Sequence, residues 1–154
     1  MAEAGKEYRD PQIARHIVIM NRRMLEWLHQ FRRKKPLKGG PLTPRQKTYS
    51  AMSGYAYQYF YEGQREIKEG IEFVFDVSSD RKTSFPLSIV VRKSAIAKWE
   101  TTHERTLESN ERYAVAKLAL FRAFDETDTP KDLAKPVFVD TKQVEEFLES
   151  LDMD

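Results

Sequence analysis

The chain is 154 residues long, 40% hydrophobic, 12% aromatic and 32% charged, with a formal net charge of +2; this is the make-up of one folded domain, not of a disordered segment. It contains no cysteine, which excludes disulfides, thiolate metal sites and cysteine nucleophiles and suits a reducing compartment. No apolar run reaches the about 18 to 20 residues of a membrane span, and Met1 to Asp10 is polar rather than signal-like, so the cytosol or the nucleus is the expected location.

From Pro11 the apolar residues Ile13, Ile17, Met20, Met24, Trp27 or Leu28, and Phe31 recur every three or four positions, the spacing of a helix with one core-facing stripe. Asp10 can cap it, and Pro36 ends it near Lys35. Pro36 to Pro41, with Gly39 and Gly40, is expected as a connector. Thr43 and Pro44 then open a second helix, predicted to run to about Glu69 before Gly70 stops it. Its core stripe is Tyr49, Met52, Ala56, Tyr59, Phe60, Gly63 and Ile67, which leaves Tyr57, Tyr61, Arg65 and Lys68 on another face.

After Gly70 the period becomes two, with Ile71, Phe73, Phe75 and Val77 on one side, and Phe85, Leu87, Ile89 and Val91 repeat it beyond the turn-like Ser78 to Ser84. This is an antiparallel hairpin with one buried face, and Pro86 must lie at an open edge or a strand start. Ser94 is expected to cap a third helix through Ile96, Trp99, His103 and Leu107; Tyr113, Ala116, Leu120 and Phe124 continue it, with a break at Ser109 and Asn110. Val137 to Val139 supplies a short third strand, and Asp140 with Gln143 forms a capping box for a last helix bearing Val144, Phe147, Leu148 and Leu151. The expected fold is therefore α+β: a helical hairpin plus further helices packed on a small antiparallel sheet. It forms a single domain, 1–154, with flexible segments at 1–9, 36–42 and 126–135. The helix-helix-hairpin order also matches the layout of a winged-helix module, in which Gln58, Gln64 and Arg65 would be the base-reading candidates.

Charge is unevenly spread, with 14 basic against 7 acidic residues before Gly70 and 12 against 17 from there on. Between Arg22 and Lys47, nine cations face one acid, Glu26. Such a cluster is the footprint of a polyanionic partner. Arg22, Arg23, Arg32, Arg33, Lys34, Lys35, Lys38, Arg45 and Lys47 would hold phosphates, while Tyr57 and Tyr61, extended by Arg65 and Lys68, would stack on or flank bases. The bland counterpart is a solvated basic helix end with tyrosines packed in the hairpin.

Catalysis finds little support. His16, His29 and His103 are far apart, and no zincin, phosphate-loop or dinucleotide motif occurs. Asp76, Asp80 and Lys82 crowd into one strand end and a turn, whereas a metal-dependent nuclease spreads its carboxylates over neighbouring strands. The expectation is a non-enzymatic protein that binds RNA or DNA, with no metal, cofactor, small-molecule substrate or membrane involved. The alternative is a protein-protein interaction module or small subunit of a larger complex, with a protein partner or a second copy of itself, that uses its basic and acidic halves, the latter ending in the acidic C-terminal helix.

Overall fold

Tyrosines at every second position, 57, 59 and 61, lie on a strand: aromatic rings favour extended backbone, and successive side chains there alternate between faces. In the computed structural model, which describes residues 34–152, the elements in chain order are β1 (Lys47–Ser50), β2 (Ala56–Ile67), β3 (Gly70–Ser78), β4 (Phe85–Arg92), α1 (Lys93–His103), α2 (Ser109–Glu126), a 3-10 turn (Pro130–Ala134), β5 (Val137–Val139) and α3 (Thr141–Asp152). The expected first helix lies, up to Arg33, outside the described residues.

The five strands form one curled, mixed sheet in the order β1-β2-β3-β4-β5. The first four are an antiparallel meander with Tyr49 opposite Tyr57, Tyr61 opposite Phe75, and Phe75 opposite Leu87. β5 returns parallel to β4, pairing Phe138 with Val90, after the chain has passed through α1 and α2. Tyr57, Tyr59, Phe73, Phe75, Leu87, Ile89 and Val91 project from one sheet face into a core closed by Trp99, Leu107, Leu120, Phe124, Val144 and Phe147 of the helical segments.

The helical hairpin is overturned. The stretch expected as its second helix is β1, a turn and β2. At that turn Gly54 takes a positive φ of 95° and its amide donates to Ala51 O at 3.0 Å, a backbone that ends strands rather than continues a helix. The winged-helix layout falls with it, since Gln58, Gln64 and Arg65 lie on a strand. The sheet is also larger than expected, five strands rather than a hairpin with a short addition.

The later elements follow the sequence more closely. β3 and β4 pair as the alternation predicts. Pro86 is the second residue of β4, below the stretch Ile89–Val91 that β5 covers, so its missing amide costs no ladder bond. Asp140 N–H donates to Gln143 Oε1 and Gln143 N–H to Asp140 Oδ1, both at 3.0 Å, which completes the expected capping box. Ser94 caps nothing, because α1 starts at Lys93 with Arg92 in the cap position. The break between α1 and α2 falls at Glu104, which ends α1 in the left-handed region at φ 53°.

Candidate functional site

Strand alternation assigns the cations of β1 to a face. Lys47 pairs with Tyr59 and Tyr49 with Tyr57, and directly opposed residues share a face, so Lys47 stands on the side of the sheet that carries the helices. There Arg45 and Lys47 meet Tyr59 and Tyr61 of β2 and Asn110 and Tyr113 of α2 around a cleft of about 590 Å³. Among the described residues that line it there is no carboxylate.

Three structural devices shape this cleft. Its outer wall is the segment before β1, anchored where Lys38 and Gln64 exchange backbone hydrogen bonds, both 2.8 Å. That wall lies so close to β2 that a Cβ on Gly40 would sit 2.3 Å from Glu62 O, and one on Gly63, at φ 141°, would sit 2.8 Å from Lys38 O. The second device is a bulge between Tyr61 and Gly63. An extra residue on one strand shifts the phase of alternation, and Gln64 thereby pairs with Phe73 and faces the cleft instead of the opposite side. The third is the amino end of α2, where Glu108 N–H donates to Glu111 Oε1 at 3.1 Å and Arg105 holds both Glu111 oxygens at 2.7 and 2.8 Å. This locked first turn sets Ser109 and Asn110 at the rim.

The electrostatics favour a negative guest. Lys117, one turn beyond Tyr113, is half-buried; burial, and secondarily the like charge of Lys47, pushes its pKa down. Two cations held together lose their mutual repulsion when an anion enters. The neighbouring phenols stay protonated: burial, helped by Tyr113, pushes Tyr61 up to about 12, and burial raises Tyr113 as well. They remain hydrogen-bond donors across the physiological range.

The structure thus brings Arg45, Lys47 and Tyr61 together and separates other candidates from them. Tyr57 is fully buried, its ring stacked on Phe124 at 4.2 Å. Arg65 faces the opposite side of the sheet, where it donates to the buried Glu72 at 3.3 and 3.4 Å. Lys34, Lys35, Lys38 and Lys68 are exposed; Arg22, Arg23, Arg32 and Arg33 lie outside the described residues, as do His16 and His29. Sequence reasoning missed Tyr113 and Lys117 because their helix reads as core-facing; their i, i+4 spacing next to Phe121 is the only signal, and it is weak.

His103 links α1 to α3 through Glu145 at 3.0 Å and stacks on Trp99 at 4.2 Å, and it does not line the cleft. Among the described residues no cluster of three or more His, Asp or Glu could hold a metal ion, and no helix is long and apolar enough to cross a membrane. Comparison with protein-family models, curated proteins and solved structures finds no match.

Proposed function

We propose that this is a non-enzymatic nucleic-acid-binding protein of the cytosol or nucleus, which contacts phosphates through the basic residues between Arg22 and Lys47, of which Arg45 and Lys47 line the cleft between β1, β2 and α2. The observation that carries this reading is the meeting of Arg45 and Lys47 with Tyr61 and Tyr113 around a cavity whose described lining includes no acid. Cations supply affinity through counterion release and aromatic rings supply stacking; both are within one concave surface. Lys38 and Lys68 add exposed positive charge elsewhere on the body.

The rival reading, an adaptor that docks its acidic C-terminal helix in a partner, has less support. Of Phe147, Leu148 and Leu151, the apolar face that such docking needs, Phe147 and Leu148 are buried within this chain and Leu151 alone of the three is exposed, so presenting the face would cost part of the core. The test is fluorescence anisotropy of the full chain with labelled single- and double-stranded probes at two salt concentrations. Binding is expected at low salt and falls steeply as salt rises, and Arg45→Glu with Lys47→Glu weakens it on every probe. Absence of binding to any probe at low salt overturns the reading.

A further inference from the structure

We infer that the cleft is a seat for one unpaired nucleotide, its base lying against Tyr61 and Tyr113 and its phosphate at Arg45 and Lys47, so that the protein selects single strands over duplex. This deepens the nucleic-acid reading above and rests on it.

The shape decides first. A flat basic surface suits a backbone of either kind, but this site is a recess of about 590 Å³, within the range of about 300–1,000 Å³ typical of pockets that enclose a small organic ligand. A base stacked in a duplex cannot enter such a recess without being unpaired, whereas an unstacked base of a single strand can. The floor is next. Tyr61 and Tyr113 lie with ring centroids 4.8 Å apart and planes inclined at 56°; the two rings cover each other only in part and leave aromatic surface towards the cavity that both line. Aromatic surface of this kind accepts any base.

The polar groups then divide by role. Arg45 and Lys47 are cations on the side of β1, and no described acid competes for them at the lining. Gln64, turned inward by the bulge, and Asn110, at the rim, carry amides that can both donate and accept. They are placed to meet the edge of a base rather than its phosphate. A bare phosphate ion would satisfy the cations and leave the tyrosine floor and the amides unused.

The full-length protein is titrated with a fluorescein-labelled oligothymidine single strand and with a hairpin duplex of equal length, and, by NMR, with uridine monophosphate and with sodium phosphate. The single strand is expected to bind about tenfold tighter than the duplex. Uridine monophosphate shifts the amides of Tyr113 and Lys117 at concentrations where sodium phosphate does not. Tyr113→Leu lowers single-strand affinity about tenfold and keeps the salt slope, while Lys47→Met lowers the slope by about one phosphate's share. Tyr113→Phe, which keeps the ring, retains the affinity and serves where the leucine variant fails to fold. Equal affinity for both strands with no response to the Tyr113 variants leaves backbone binding standing and overturns the nucleotide seat. A phosphotyrosine peptide that outcompetes the oligonucleotide overturns it too. Failure of every probe at low salt sinks the nucleic-acid reading itself.

Discussion

The Tyr49 hydroxyl donates a 2.8 Å hydrogen bond to Asp125 Oδ2, and the other oxygen of the same carboxylate accepts from Met52 N–H at 2.9 Å. One side chain at the end of α2 thereby holds both the edge strand β1 and the turn that leads into β2. Ser53 Oγ reinforces the joint by donating to Phe124 O at 2.9 Å, and the Tyr49 ring stacks on Phe121 at 4.3 Å. Because Lys47 is on the same short strand, this joint also fixes one cationic side of the cleft.

Asp125→Ala is therefore expected to destabilise the fold by about 1–2 kcal/mol, the worth of two hydrogen bonds to a partly exposed carboxylate. Urea denaturation measures the loss. Hydrogen exchange at Met52 tests its origin: the amide should exchange faster in the variant, while amides of β3 and β4 keep their rank order of protection.

Glu72 provides a second, independent test. It is 5% exposed on the sheet face away from the helices, where Arg65 reaches it at 3.3 Å and Ser88 Oγ donates to it at 2.9 Å. Removing one member of a buried pair strands the other charge, at a cost of about 3–5 kcal/mol, whereas replacing both with apolar groups recovers much of the loss. Arg65→Met should fall near the lower bound, since Ser88 remains, and Arg65→Met with Glu72→Met should regain stability in thermal melts. Nucleic-acid affinity should be insensitive to Arg65, which lies on the far side from the cleft. A loss of binding equal to that of the Lys47 variant would place the interface on the wrong face.

Gly40 and Gly63 explain why the sequence hid this architecture, and they are themselves testable. The β3–β4 hairpin was legible because alternation is unbroken within each strand, Ile71 to Val77 and Phe85 to Val91, and the core residues are all apolar. β2 begins with the same alternation at Tyr57, Tyr59 and Tyr61, but the bulge before Gly63 puts Gln64 on the core side, and the phase slips. A period of two with one slip imitates spacings of three and four, so Tyr49, Met52, Ala56, Tyr59, Phe60, Gly63 and Ile67 mimic a helical stripe. The tyrosine run was the better guide, as three rings at alternate positions suit a pleated surface and overfill one helix face. The basic residues were visible from composition alone; their convergence with Tyr113 and Lys117 depends on the packing of α2 against β1 and β2, which local pattern cannot encode. Gly40→Ala forces a Cβ against Glu62 O, so it should detach the outer wall, expose the Lys38 and Gln64 amides to exchange, and weaken the single-strand preference more than the total stability.

Lys117 should show a conflict between stability and binding. Its pKa is lowered by burial and by Lys47, which means that the folded state disfavours its ammonium form. Lys117→Met removes that penalty and exchanges the ammonium group over Phe121, 5.7 Å from Nζ to the ring centroid, for a thioether that packs on the same ring, so the urea midpoint at neutral pH should rise. For the wild type the midpoint should also rise on adding an oligonucleotide, by mass action, and the variant should gain less. A variant that is both less stable and unchanged in binding would mean that Lys117 acts through packing alone.

The phenols give the pH dependence its sign. A tyrosine whose folded pKa is raised holds its proton longer in the folded than in the unfolded chain, so it contributes stability in full below its ordinary value of 10.0 and loses it as pH climbs towards the folded value, about 12 for Tyr61. Tyr49, Tyr57, Tyr59 and Tyr113 are shifted in the same direction, chiefly by burial, and there is no cysteine to titrate among them. Stability should therefore fall progressively above pH 10, and phenolate absorbance should appear late and together with unfolding rather than ahead of it. Tyr61→Phe keeps the ring contacts with Phe75 and Tyr113 and removes one titrating group, so its urea midpoint should decline less steeply over the same range. If Tyr61 instead ionises near its ordinary value in the folded protein, the floor of the cleft is wetter than its packing against Tyr113 and β3 requires.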